Sequence, residues 1–185
     1  MDQASAITTV HAERRRRPVW VVAALTFLTL DLYGIAWIGL SWAELKRERN
    51  DPNMHPWWHM LTLVVPFYGL FRIHAHFRTI NELLASVGSS RRFAPGLAVL
   101  AIVVSAILGR TASLPSLSPS TVFVLLIVSG VLFAWPIAQG QRSLNDYYGV
   151  LPMENIPTDV RRFEWLILAV GAVVWFLIAL GSLAS

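Results

Sequence analysis

The sequence has no cysteine among its 185 residues. Disulfides, thiolate metal sites and a cysteine nucleophile are therefore excluded. Charged residues are also scarce, at 14% of the chain, whereas hydrophobic residues make up 55%. A soluble globular domain has about 25% charged and about 45–50% apolar residues. This imbalance indicates an integral membrane protein with little sequence left for a soluble domain.

The sequence also lacks Gly-rich phosphate loops, a GxSxG nucleophile motif and paired catalytic carboxylates. We therefore expect no enzymatic activity, no catalytic residue and no cofactor. The net charge is +4, but the basic residues flank apolar runs and form no continuous stripe with interleaved aromatics. This placement follows the positive-inside rule of membrane proteins and argues against a nucleic-acid partner.

Five apolar segments approach the length of about 20 helical residues that crosses a bilayer. Because backbone groups in lipid must be satisfied within the segment, these segments are expected to be helices. We predict an all-α polytopic transmembrane bundle of about five spans. Residues 18–185 would form this single membrane domain, after a disordered basic tail at 1–17. The predicted segments are 18–40, 57–73, 93–108, 121–138 and 163–183.

The positions of Lys and Arg predict the orientation. If all five segments cross and the N-terminus is cytoplasmic, eleven basic residues lie inside and four outside. The protein would then be a multi-pass protein with an external C-terminus. The first loop, ELKRERND, conflicts with this arrangement because its three basic residues would lie outside.

A second topology removes the conflict in the first loop. If the first two segments are re-entrant hairpins, bent at 31–34 and 66–69, fourteen of the fifteen basic residues lie inside. Segments three to five keep their orientation. Pro and Gly are tolerated within membrane helices when neighbours satisfy the freed backbone groups. We therefore prefer straight spans and keep the hairpins as the alternative.

A polar motif follows the second and fourth apolar segments, as HFRTINELL and GQRSLNDYY. Each motif precedes an Arg-Arg-Phe at the start of the next segment, which suggests an internal repeat of 57–108 in 121–183. The shared positions are Arg78, Asn81 and Glu82 in the first motif and Arg142, Asn145 and Asp146 in the second.

Both motifs fit the spacing of a helix capping box, as Thr79-x-x-Glu82 and Ser143-x-x-Asp146. We therefore predict short amphipathic interfacial helices at 78–84 and 142–148, with arginines facing anionic lipid head groups. A substrate or partner site built from the two asparagines is the alternative.

Asp31 is the only acidic residue deep inside an apolar segment. A charge at the bilayer centre costs about 2.5–3.5 kcal/mol on insertion scales. Asp31 should therefore face protein or water, pair with a base or be protonated. Arg72, with the opposite charge, is the best candidate partner, but it would lie at a different depth. Proton or cation transport and a hydrogen bond to a neighbouring helix both remain open.

Four of the five histidines fall in one region, at His55, His59, His74 and His76. HPWWH has an i, i+4 spacing typical of metal ligands, but HAH places its rings about 200° apart on a helix. On a straight span the pairs lie about 22 Å apart, and only a hairpin would bring them together. Because no HExxH glutamate accompanies them, we predict no metal site.

Residues 19–81 resemble an uncharacterised bacterial multi-pass membrane family, a domain of unknown function. The resemblance lies in paired apolar segments with Tyr-Gly and Trp, here LTLDLYGIAWIGLSW and VVPFYGLFRIHAHFRTINELL, and in the polar exit helix with Asn. It implies residence in a bacterial inner membrane and supplies no activity or site residues.

The leading functional hypothesis is a non-catalytic membrane protein that scaffolds, assembles or regulates. Its partners would be membrane lipids and either a second copy or another membrane protein. The alternative is a small oligomeric transporter or channel that uses Asp31, with broken helices at Pro66 and Pro136.

Overall fold

The computed structural model describes residues 15–65, 67–151, 156 and 158–183, and the elements it forms there are helices. The predicted all-α class is confirmed for this part of the chain. Most of the predicted tail at 1–17, and Pro66 at the second predicted bend, lie outside the described residues. The elements are α1 (Val19–Leu28), α2 (Leu32–Arg49), α3 (Pro56–Leu61), a 3-10 turn (Thr62–Val64), α4 (Tyr68–Ser86), α5 (Pro95–Ala112), α6 (Pro119–Val150) and α7 (Arg162–Leu183).

Three of these helices, α5, α6 and α7, are long and apolar enough to cross a membrane. Their outward side chains are largely apolar, as at Val170, Phe176 and Leu177 of α7, which are each more than half exposed. An apolar surface of this extent is stable in lipid and unfavourable in water. The helices therefore support a membrane location, whereas the predicted count of five spans is not confirmed.

The first apolar segment, 18–40, is not the straight helix that we preferred. The chain turns through Leu30 and Asp31, whose φ angles are 51° and 70°. Aspartate is among the few residues that tolerate this left-handed conformation. The hydroxyl of Thr29 accepts a 2.9 Å hydrogen bond from the Tyr33 amide, and so pairs a backbone N–H group in the first turn of α2.

Arg17 and Glu44 flank this segment and form an ion pair of 2.6 Å. On one straight helix these residues would lie about 40 Å apart. Helices α1 and α2 therefore form a helical hairpin, which we call hairpin one. Its bend falls at the position that the sequence offered only as the alternative.

The second apolar segment, 57–73, is also broken. Phe67 has a φ of 62°, and α4 begins at the next residue. The two arms approach so closely that a Cβ added at Gly69 would lie 2.7 Å from the carbonyl oxygen of Leu63. His59 of α3 and His76 of α4 both pack on the ring of Trp42. We call this second helical hairpin, α3 to α4, hairpin two.

Hairpin one packs along α6. A Cβ added at Gly130 would lie 2.8 Å from the Phe27 ring, and one at Gly140 would lie 2.5 Å from the Trp37 ring. Such small residues allow membrane helices to approach closely. Because Phe27 lies at the end of α1 beside the middle of α6, the bend of hairpin one points towards the N-terminal half of α6.

The two polar motifs do not start separate interfacial helices, contrary to the prediction. Residues 78–84 belong to α4, and residues 142–148 belong to α6, which continues through Pro136. The Thr79 hydroxyl donates to the Ala75 carbonyl within α4, at 2.9 Å, and Ser143 is buried in mid-helix. Burial of the apolar face of each motif favours continuing the helix over restarting it.

Candidate functional site: a polar layer at one end of the bundle

Charged residues gather at the end of the bundle where both hairpins open, which we call the charged end. Ion pairs there join separate elements: Arg15 with Glu164, Arg17 with Glu44, Arg49 with Glu82 and Arg91 with Asp146. Arg110, near the C-terminus of α5, lies at the opposite end, which we call the far end. The charged end therefore brings together charged residues that the sequence analysis assigned to separate motifs, such as Glu82 and Asp146.

Arg15 ties the N-terminal segment to the start of α7. Its Nη1 and Nη2 donate to the two carboxylate oxygens of Glu164, at 3.1 and 2.5 Å, and its Nε donates to Asp159 at 3.0 Å. Burial would lower the pKa of Arg15, but the hydrogen bonds and charges of Glu164 and Asp159 together outweigh it and raise that pKa. Arg15 and Glu164 are 6% and 2% exposed, so this two-point pair is well shielded from water.

A chain of amide hydrogen bonds crosses the core beside this pair. The indole of Trp37 donates to Gln141 at 2.7 Å, and Gln141 donates to Asn145 at 2.8 Å. Asn145 in turn donates to the backbone carbonyl of Arg17 at 2.8 Å. Trp37 and Gln141 are fully buried. The chain links α2, α6 and the segment that enters α1, and we call it the amide chain.

Asn81 has a comparable role at the entry to α5. Its amide donates to the Phe93 carbonyl at 2.7 Å and accepts from the Phe93 amide at 3.1 Å. Asn145 instead holds Arg17, and not the phenylalanine that the repeat would place at 163. Each asparagine therefore fixes a chain segment entering an apolar helix, and its amide is occupied by protein.

The charged members of the two motifs lie closer to the surface. Glu82 accepts from Arg49 of α2 and also pairs with Arg78 one turn earlier, at 3.1 Å. Asp146 pairs with Arg91 at 2.7 Å, while Arg142 is exposed. Exposed pairs of this kind contribute at most about 1 kcal/mol each. Arg78 and Arg142 therefore present positive charge outward at the charged end.

The histidines form an aromatic cluster with Trp42. The rings of His59 and His76 lie 4.6 and 4.8 Å from the Trp42 ring. His55 and His74 are exposed. Hairpin two thus brings together one histidine from each predicted pair. Across the described ranges, no three His, Asp or Glu side chains are grouped so that they could hold a metal ion.

His76 is the most deeply buried ionisable side chain of this cluster. Its Nε2 lies 3.0 Å from the Ser41 hydroxyl, which itself donates to the Trp37 carbonyl at 2.7 Å. Burial, with a smaller contribution from the charge of His59, lowers the pKa of His76 to about 3. The imidazole is therefore neutral at physiological pH and shares a hydrogen bond with Ser41 through Nε2.

Asp31 lies at the bend of hairpin one, away from the charged end. Its Oδ1 is buried and has no hydrogen-bond partner within the part of the chain that the structure describes. The sequence offered Arg72 as a doubtful partner for it. Arg72 instead donates to the Tyr68 hydroxyl at 2.9 Å and lies over the Tyr68 ring.

Two apolar clefts adjoin the hairpin bends. A cleft of about 490 Å³ beside hairpin two is lined by Leu70 and by α5 residues that end at Arg110 and Thr111. A cleft of about 330 Å³ beside hairpin one lies between Leu30 and the α7 residues Val170 and Val174. Each cleft therefore separates a bend from a spanning helix.

Sequence reasoning missed Arg15, Trp37, Gln141 and Glu164. The available signal was Gln141 one helical turn before Asn145, a polar pair at i, i+4 within a long apolar helix.

In comparisons with family models, curated proteins and solved structures, nothing matches this chain.

Proposed function

We propose that this chain is a non-catalytic membrane scaffold or assembly protein, held in a bacterial inner membrane by three spans and two re-entrant hairpins. The observation that carries this proposal is the Arg17–Glu44 ion pair, which joins the two ends of the first apolar segment at 2.6 Å. A segment whose ends meet returns to the side of the membrane that it left. The resemblance of residues 19–81 to an uncharacterised bacterial family stays a prediction.

The depth of hairpin one supports re-entry. Its bend lies beside the middle of α7, because a Cβ added at Gly171 would lie 2.7 Å from the Cβ of Leu28. Gly171 is about 14 Å along the helix from Arg162 and about 18 Å from Leu183. A hydrocarbon core is about 30 Å thick, so the bend would reach about its midplane.

The charge distribution supports a cytoplasmic charged end. The basic residues of the first loop, Lys46, Arg47 and Arg49, join the cytoplasmic set when the first segment is a hairpin. Arg110 then becomes the sole described basic residue at the far end. The positive-inside rule favours this arrangement. The N-terminus would be cytoplasmic, and after three spans the C-terminus would be external.

The scaffold assignment follows from which side chains are exposed at the charged end. Most of its acids, amides and buried arginines are bonded to one another, which favours a structural role over chemistry. Arg142 is exposed, and Arg78 is exposed although it pairs with Glu82. They would bind anionic lipid head groups, a membrane-protein partner or a second copy of the chain, through charge.

Single cysteines test the topology, because the native chain contains none. We would introduce Asn53→Cys between the hairpins, with Ser90→Cys and Ser116→Cys as references for the two sides, and label intact cells with a membrane-impermeant maleimide. Re-entrant hairpins predict that Asn53→Cys labels like Ser90→Cys. If it labels like Ser116→Cys, the first segment spans the membrane and the proposal fails.

Co-purification tests the scaffold role. We expect a stable protein or lipid partner whose recovery falls when Arg78→Ala and Arg142→Ala are combined. Arg110→Ala removes one positive charge from the far end and is the matched control, with recovery unchanged. Recovery that survives the double change would show that the charged end is not the binding face.

A transporter or channel is the second candidate, favoured by the buried and unbonded Oδ1 of Asp31. Acidic residues within a membrane are rare and often mark proton and cation pathways. An oligomer would be needed to build a pathway around it. Flux in proteoliposomes should be abolished by Asp31→Asn and kept by Asp51→Asn. Equal flux in the native protein and Asp31→Asn would eliminate this candidate.

A further inference from the structure

The two halves of the bundle differ in width along its long axis. Helices α5, α6 and α7 pass through both halves. The four arms of the two hairpins, namely α1, α2, α3 with its 3-10 turn, and α4, end at bends within the length of the spanning helices. The bend of hairpin one lies beside Gly171 of α7, and Leu70, just after the bend of hairpin two, lines a cleft with α5 residues from Ile102 to Thr111. In the described residues, seven helical arms therefore occupy the half near the charged end, and three occupy the far half.

This difference corresponds to a large area. A helix with its side chains is about 10 Å across, so its cross-section is about 80 Å². Four additional arms therefore add about 300 Å² to one half of the molecule. That excess equals the area of several lipid molecules and is confined to one leaflet.

The surfaces at the two bends are suited to lipid chains from the opposite leaflet. Leu30 at the first bend is 47% exposed, and Phe67 at the second is 78% exposed. The two apolar clefts open beside these bends, and Arg110 lines the larger one at the far end. Lipid, with its phosphate near Arg110, would fill the space above the bends, where the far half has no hairpin arms.

We propose that the protein is a one-sided membrane wedge, which binds preferentially to bilayers curved so that the leaflet at its charged end is convex. This inference rests on the proposed re-entrant hairpins. A convex leaflet has more area per lipid at its surface, so the excess protein area relieves packing stress there. Insertion on one side of a bilayer is known to depend on curvature for the same reason.

Orientation in vesicles of different size tests the wedge. The full chain carrying Ser90→Cys would be reconstituted into phosphatidylethanolamine–phosphatidylglycerol vesicles extruded through pores of decreasing diameter. A membrane-impermeant maleimide labels molecules with the charged end outward, and labelling after detergent addition gives the total. Molecules inserted in the opposite orientation in the same vesicle are an internal control. Ser116→Cys should report the complementary fraction.

The wedge predicts that the ratio of outward to inward charged ends at least doubles from the largest to the smallest vesicles. A ratio that is independent of diameter, or that falls, overturns the inference. Ser90 lies at the charged end whether or not the hairpins re-enter, so this assay is independent of the Asn53→Cys result. A constant ratio with Asn53 on the Ser90 side refutes the wedge alone, whereas Asn53 on the Ser116 side refutes the hairpins as well.

Discussion

Acidification should destabilise this protein through the buried imidazole of His76. Its pKa is lowered to about 3 by burial, against an ordinary value of 6.5. A base with a lowered pKa in the folded state contributes full stability above its unfolded pKa. That stability is lost as the pH falls from about 6.5 towards 3, because protons bind the unfolded chain first.

The magnitude follows from the same two pKa values. Each pH unit within this window costs about 1.4 kcal/mol for one group. From pH 7 to pH 5, His76 alone should therefore lower the free energy of unfolding by about 2 kcal/mol. His59, which also packs on the Trp42 ring, has a pKa lowered by burial, so its contribution to stability has the same sign.

Unfolding in detergent micelles, followed by tryptophan fluorescence at both pH values, would measure this loss. His76→Gln keeps a hydrogen-bonding group for Ser41 but does not titrate, so its unfolding should be less dependent on pH by about 2 kcal/mol. His74→Gln removes an exposed histidine from the same helix and should keep the native pH dependence. Equal pH dependence in all three proteins would refute the assignment of a buried, neutral His76.

Three further changes test the ion pair at the charged end, the packing of α6 and the amide chain. Glu164→Gln should cost about 3–5 kcal/mol, because it removes the buried carboxylate and leaves the buried Arg15 guanidinium only the half-exposed carboxylate of Asp159. Asp159→Asn should cost about 1 kcal/mol or less; equal losses measured by chemical unfolding would contradict the role of the buried pair. Gly140→Ala should cost about 1–3 kcal/mol, because its Cβ would meet an indole ring at 2.5 Å, while Gly96→Ala, with open space around it, should be nearly neutral in thermal unfolding. Trp37→Phe should cost about 1–3 kcal/mol, because it removes the donor to a buried amide, and a stability unchanged in urea titration would show that the amide chain does not contribute.

Local sequence patterns identified much of the architecture. Segments three and five became α5 and α7 with shifts of at most four residues at their ends, because hydrophobic length and helix boundaries are local properties. Segment four became α6, which continues twelve residues past the predicted end at 138. The alternative hairpin of the first segment was predicted to bend at 31–34, and the observed turn through Leu30 and Asp31 overlaps that range at Asp31. Asp31 follows Thr29, and these side chains support a turn without help from distant parts of the chain.

The candidate site could be predicted only in part. Polar residues of the two motifs were identified, but their partners were not, because Asn145 binds Arg17 across 128 positions of sequence. The capping spacing at Thr79 and Ser143 predicted helix starts that are absent, since burial of the surrounding apolar face outweighed a local capping preference. The histidine spacing alone did not reveal the aromatic cluster, because Trp42, on which His59 and His76 pack, lies on another helix.

The sequence by itself determined that this is a helical membrane protein, where its apolar segments lie, and where the first two of them can bend. Only the tertiary structure decided that these segments fold back on themselves. A straight span and a hairpin have the same composition and nearly the same local hydrogen bonds. The difference lies in contacts between residues far apart along the chain, above all between Arg17 and Glu44. Such contacts depend on how the helices of the described residues pack together, which no single segment specifies.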